Sequence, residues 1–196
     1  MGPSVGMGAP ARPDFASTPL ARDEPHCLYV ATARAAVSTP PLRADARTEV
    51  AVIGAGYTGI STALHLAERG VAVTLLEARE PGWGAAGRNG GQVNAGLKHE
   101  PDEVERALGA VYGPRLVRLA GEAPGLLFAL IARLGIDCEA RRAGTLRVAH
   151  HPRHAGMLRD SVEQWRRRGA ALEFWDAAAT KAATGTGHYV AAAFDP

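Results

Sequence analysis

Two cysteines among 196 residues leave little room for a cross-linked or metal-stapled framework. Cys27 and Cys138 lie in unrelated segments, and neither has a CxxC or Cys/His partner at ligand spacing. A zinc site and a disulfide scaffold therefore lack support, and a reducing, cytoplasmic setting is the expectation. Long apolar runs are missing too. The longest, LLFALIA at 126–132, is too short to span a bilayer, so no membrane association is expected. The N-terminus lacks a basic stretch followed by an apolar one, which argues against a secretory leader. Lysine is nearly absent, the basic residues being almost all arginine, and the net charge is only +2. That balance provides no general nucleic-acid footprint. What remains, 46% hydrophobic and 21% charged residues, is the composition of a soluble globular protein.

Three stretches differ in character. Residues 1–47 are rich in Pro, Ala, Gly and Ser without a sustained period, and read as a tail with an extended arm. From Thr48 the pattern changes. EVAVIG and VAVTLLE read as buried strands, and YTGISTALHLAERG between them as a helix with Ile60, Ala63, Leu64 and Ala67 on one stripe. Gly70 suits the helix end. Two buried strands joined by a short helix imply a parallel βαβ unit. The first domain is assigned to 48–135, where residues 100–135 read as largely helical, with a kink or break expected at Pro124. A second, mixed domain is assigned to 136–196. It contains strands in GTLRVAH, ALEFW and YVAAAF, and a helix from His154 to Arg168 with Leu158, Val162 and Trp165 on one face.

Gly54-Ala55-Gly56-Tyr57-Thr58-Gly59 matches G-x-G-x-x-G, a weak signal in isolation. Here it follows a strand, opens a helix and precedes a second strand ending in Glu77, eighteen residues beyond Gly59. Each position has a physical task. Gly54 permits the tight turn, Gly56 lets backbone approach a pyrophosphate, and Gly59 lets the helix pack close to the strand. Backbone N–H groups around Tyr57 and Thr58 would receive the phosphate charge. Glu77 would accept hydrogen bonds from the ribose hydroxyls, and its charge disfavours a 2′-phosphate. The motif predicts a dinucleotide site without separating NAD from FAD.

The segment GWGAAGRNGGQ, residues 82–92, holds five glycines in eleven positions. Such a loop is either slack or brings backbone very close to something a Cβ would block. In this segment and its neighbours the sequence resembles the FAD-dependent amine and amino-acid oxidases of the D-amino-acid oxidase superfamily. The gamma-glutamylputrescine oxidase-like branch is the nearest in pattern. VAVIGAGYTGISTALHLAERG is similar to its dinucleotide fingerprint, and LLEAREPGWGAAGRNGGQV to its second strand and flavin-contacting segment. LYVATA at 28–33 is similar to its N-terminal arm, and GIDCEARRAGTLRVA and GTGHYVAAAFDP to the opening of its substrate domain.

The resemblance implies an α/β fold, with a Rossmann-like FAD-binding βαβ unit followed by the start of a mixed α+β substrate domain, apparently truncated. It implies cofactor contacts from Arg79, Gly87, Arg88, Asn89, Gly90 and Gly91 in addition to the fingerprint residues. Ala86 stands where the family pattern suggests Ser, which removes one hydroxyl contact. The implied reaction is oxidative deamination of a small-molecule amine or amino acid, such as gamma-glutamylputrescine, with hydride passing to the flavin and oxygen as oxidant. No catalytic residue is assigned. The alternative expectation is a catalytically inert fragment with at most residual FAD binding.

Other features have plainer readings. HHPRH at 150–154 is interrupted by Pro152 and lacks a carboxylate or thiolate at ligand spacing, so it reads as a polar turn rather than a metal site. Arg166, Arg167 and Arg168 read as a solvated helix end, where cations suit the dipole. Trp165 reads as core. Arg141 and Arg142 fit a surface turn as well as an acidic substrate.

Overall fold

The computed structural model describes Thr32 and residues 38–196, which fall into two compact units divided between Gly90 and Gly91. The arm at 28–33 lies, apart from Thr32, outside the described residues.

The first unit contains β1 (Val50–Ile53), α1 (Tyr57–Ala67) and β2 (Val73–Leu76). The strands pair in parallel, from Val50 opposite Val73 to Ile53 opposite Leu76. Thr48 Oγ1 donates to Ala72 O at 2.8 Å, and Glu49 accepts from Ala72 N at 3.0 Å, which closes the lower end of the pair. Gly54 N donates to Leu76 O at 2.7 Å and closes the upper end. The strands are less buried than their apolar composition predicts. Along β1, Val50 and Val52 are half-buried while Ala51 and Ile53 are exposed, Ile53 by 87%. A helix covers one face of the strand pair, so β1 alternates in the manner of a one-sided sheet. On α1, Ala63 and Leu64 are half-buried, whereas Ile60 and Ala67, the outer members of the expected stripe, are exposed.

The second unit contains α2 (Pro101–Leu134), β3 (Thr145–Ala149), α3 (Pro152–Arg166), β4 (Glu173–Trp175), α4 (Ala177–Thr184) and β5 (Ala191–Asp195). The sheet order is β3-β5-β4 and both pairings are antiparallel. α3 lies on it, and Ala149, Leu158, Val162, Ala191 and Ala193 form the core between them. Trp165 belongs with Val104 and Val117 of α2 in a second buried cluster. The expected α3 face of Leu158, Val162 and Trp165 is thus buried as one surface. Through that cluster α2 packs within the second unit.

The break in α2 falls elsewhere than expected. The residues around Pro124 keep helical dihedrals, and the interruption lies at Gly109, with φ +72° and ψ 178°. Backbone in that region is essentially reserved for glycine. Beyond it the two arms of α2 approach so closely that a Cβ on Gly113 would stand 2.5 Å from Glu105 Cα.

Arg168 departs from the reading of a solvated helix end, while Arg166 and Arg167 stay exposed. Arg168 donates to Asp102 at 2.6 Å and to both oxygens of Glu105 at 2.7 and 2.8 Å, and its side chain is only 20% exposed. Arg167 reaches Asp102 at 2.9 Å. Asp102 and Glu105 are held below the ordinary carboxylate range, chiefly by the Arg168 hydrogen bonds, against some desolvation. Asp102 in the first turn of α2, with Glu105 just beyond it, thus meets cations at the end of α3, where the charges suit the helix dipoles. α4 was absent from the sequence reading. It buries only Thr180, so its apolar period is faint, although Asp176 caps it by accepting from Ala179 N at 2.9 Å.

Candidate cofactor site

The site is built at the upper end of the β1–β2 pair. Gly54 turns the chain with φ +97°, a conformation that a side chain would strain. Ala55 is buried, and Gly56 serves as N-cap of α1 without a side-chain cap. A Cβ on Gly59 would collide with the carbonyl of Gly54, so glycine there is what lets α1 start directly against the turn. Gly56 is different. Its φ of −83° is open to any residue, and a Cβ would meet nothing within 4 Å. The protein's own backbone therefore explains glycine at 54, by its φ, and at 59, by steric contact, but not at 56. At 56 the bare backbone faces open space at the positive end of a helix, as a pyrophosphate cradle requires.

Glu77 closes the back of this turn. Its Oε2 accepts from Ala55 N at 2.7 Å and its Oε1 from Arg79 N at 3.1 Å. These bonds hold the carboxyl below its usual range. The Ala55 N–H is the largest cause, partial desolvation opposes it, and the N–H groups of Arg79 and Ala78 add to it. Glu77 is exposed and ionised, and one of its oxygens is already engaged by the glycine turn. The sequence reading considered it only as a ribose partner.

The glycine-rich loop docks onto the same turn. Gly82 N donates to Ala55 O at 2.8 Å, and a Cβ on Gly87 would stand 2.5 Å from Gly82 O. Ala85–Gly87 form a short 3-10 turn. Tyr57, first residue of α1, donates its hydroxyl to Ala86 O at 2.9 Å and accepts from Asn89 Nδ2 at 2.7 Å. The guanidinium groups of Arg79 and Arg88 lie 4.0 and 4.3 Å from the Trp83 ring centroid, and Arg88 Nε donates to Trp83 O at 3.0 Å. The loop lines a depression of about 490 Å³ bounded by Trp83, Gly84, Ala85, Arg88 and Asn89. It is an ordered element tied down by named bonds, and not a slack connection.

The predicted site residues are thus brought together as far as residue 90. Gly54, Gly56, Tyr57, Thr58 and Gly59 form the turn and helix start, Glu77 and Arg79 lie behind it, and Gly87, Arg88 and Asn89 sit in the docked loop. Gly90 is exposed with open space at its Cα, and Gly91, with φ +67°, opens the second unit. The sequence reading missed Ala55, Gly82 and Trp83. Trp83 had a readable signal in its position between two arginines, whereas the backbone roles of Ala55 and Gly82 had none.

Of the other polar groups, His151 caps α3 by accepting from Arg153 N at 3.3 Å. The rings of His150 and His154 meet edge to face. Arg142 lies near the Phe128 ring, at 5.7 Å. Among the described residues, no helix is long and apolar enough to cross a membrane.

Comparison with known proteins agrees with this geometry. Gamma-glutamylputrescine oxidoreductase of Escherichia coli is 36% identical over 168 residues, which is 85% of this chain and 39% of that protein. The probable oxidoreductase OrdL of Rhizobium meliloti is 36% identical over 152 residues, 76% of this chain and 35% of that protein. This chain therefore spans well under half the length of these relatives. Among solved structures, L-proline dehydrogenase from P. horikoshii matches with a TM-score of 0.61 at 21% identity, over 76% of this chain and 37% of that one. Glycine oxidase from Geobacillus kaustophilus matches with a TM-score of 0.60 at 21% identity, over 76% and 39%. These last two show the shared α/β fold. Residues 49–196 match the family model described as DAO, FAD dependent oxidoreductase, and the chain belongs to that FAD-dependent family.

Proposed function

We propose that this chain binds FAD through Gly54, Gly56, the backbone of Tyr57 and Thr58, Gly59 and Glu77, with Arg79, Gly87, Arg88, Asn89, Gly90 and Gly91 along the cofactor. The observation that carries the reading is Gly56, a glycine that protein packing does not require, facing open space at the start of α1 beside an already docked loop. When bound, FAD supplies the acceptor for a hydride from a C–N carbon. The chain's own part is to hold the dinucleotide: helix-end N–H groups for the pyrophosphate, Glu77 for the ribose and the 82–90 loop along its length.

The activity assigned is oxidation of a small amine or amino acid, with oxygen as the final oxidant. Gamma-glutamylputrescine is the first substrate to try, because the oxidoreductase named for it is 36% identical to this chain. The antiparallel sheet within residues 136–196 is assigned to the opening of a substrate domain. Cytoplasmic location is part of this reading, and the exposed thiol of Cys138 suits a reducing compartment.

A second reading is a chain that holds FAD without turning over an amine. The 87% exposure of Ile53 on a two-stranded sheet favours it, since parallel sheets ordinarily have both faces covered. Two measurements decide. The purified chain, incubated with FAD and passed through gel filtration, is expected to carry the flavin absorption band. Anaerobic gamma-glutamylputrescine is then expected to bleach it. A colourless protein peak overturns the cofactor assignment. A stable flavin band that no small amine bleaches establishes the second reading.

A further inference from the structure

We propose that Tyr57 is a positioning residue, its hydroxyl being the strut that ties the glycine-rich loop to the start of α1. The role rests on the cofactor reading above but acts through the loop rather than on the cofactor. Three polar groups form a closed ring. Tyr57 Oη donates to Ala86 O at 2.9 Å, Asn89 Nδ2 donates to the same carbonyl at 2.8 Å, and Asn89 Nδ2 also donates to Tyr57 Oη at 2.7 Å. A phenol has one proton to give and lone pairs to receive with, so it can hold both positions at once. Phenylalanine could fill the same space but could do neither.

The location makes the ring consequential. Tyr57 follows Gly56 directly, so its backbone lies at the helix end that faces the cradle. Tyr57 is 68% exposed, so burial does not explain an aromatic residue at this position. The ring reaches across to residues 86 and 89, past the 3-10 turn that follows Gly84. At the other end of the loop, Gly82 N is fixed to Ala55 O. The loop is therefore pinned at both ends to the turn that carries Gly56, at Gly82 by backbone and at Ala86 and Asn89 by Tyr57. A loop fixed in this way has already lost the conformational freedom that binding would otherwise remove.

The test is Tyr57→Phe in the full chain, with amide hydrogen exchange of residues 84–90 measured without FAD and FAD association followed by flavin fluorescence. The expected result is exchange about tenfold faster in that segment, the scale of one hydrogen bond of about 1.4 kcal/mol. FAD association should slow several-fold, while the global unfolding midpoint stays close to that of the parent. Asn89→Ala should reproduce the faster exchange measured without FAD, and the double variant should add little to it, because the two side chains act as one unit. Unchanged exchange in Tyr57→Phe overturns the proposal, and so do additive effects in the double variant. Failure of the parent chain to bind FAD would instead overturn the cofactor reading, leaving the strut to be decided by exchange and additivity alone.

Discussion

Glu77, just beyond β2, accepts a hydrogen bond of 2.7 Å from the backbone N–H of Ala55 in the glycine turn. One carboxylate thus joins the end of the second strand to the loop between the first strand and its helix. Any ribose contact Glu77 makes is added to a structural bond already in place.

This sets a pH-dependent expectation for Glu77→Ala. A folded carboxyl held below its unfolded range stabilises the fold above the unfolded value of about 4.3. That stability is lost as pH falls through the lower, folded value. The variant should be less stable than the parent at pH 7 by about 1 kcal/mol, modest because the carboxylate is exposed. The gap should narrow as pH falls below the unfolded value of about 4.3, which urea unfolding at pH 7 and pH 3 would show. FAD binding should weaken by roughly 1.5–3 kcal/mol at neutral pH, since a ribose acceptor is lost as well.

Gly59 and Gly56 should separate packing from binding. Gly59→Ala drives a methyl against the backbone carbonyl of Gly54, which cannot rotate away. The expected loss is about 2–3 kcal/mol of stability, with FAD retention falling as a consequence. At Gly56 a Cβ meets no protein atom within 4 Å, so Gly56→Val should change stability by no more than about 1 kcal/mol. FAD retention should nevertheless disappear, because the side chain enters the cradle. A thermal melt and a flavin titration on each variant distinguish the two effects.

Gly109 and Gly125 offer a matched pair within α2. Gly109→Ala places a side chain at φ +72° and ψ 178° and should destabilise by roughly 1–3 kcal/mol. Gly125 lies in the helical arm with open space at its Cα, so Gly125→Ala should stabilise by about 0.5–1 kcal/mol. Opposite shifts in the unfolding midpoint are expected. Equal losses would mean that the break lies near Pro124 after all.

Several features were legible in the residues before any coordinates. The parallel βαβ unit, the helix start at Gly56 and the buried face of Leu158, Val162 and Trp165 all follow from local spacing, which short-range backbone geometry imposes. α4 was not legible, because an alanine-rich helix that buries only Thr180 has almost no apolar period. The Pro124 expectation failed for a related reason. Proline weakens a helix interior, but the chain bends where packing of the two arms rewards it, and Gly109 is the residue that permits the angle.

A glycine fingerprint that follows a strand, opens a helix and is answered by an acid can be read from the residues alone, because those spacings are set by the reach of the backbone. How those parts are used depends on how the chain folds in space. Folding strains a side chain at Gly54 and blocks one at Gly59 with backbone, but sets no protein atom within 4 Å of a Cβ at Gly56. It also engages Glu77 with Ala55, Arg168 with Asp102 and Glu105, and Tyr57 with Ala86 and Asn89. Those pairings join residues 22 to 66 positions apart. Partners so distant are chosen by how elements pack in space, and no local period records them.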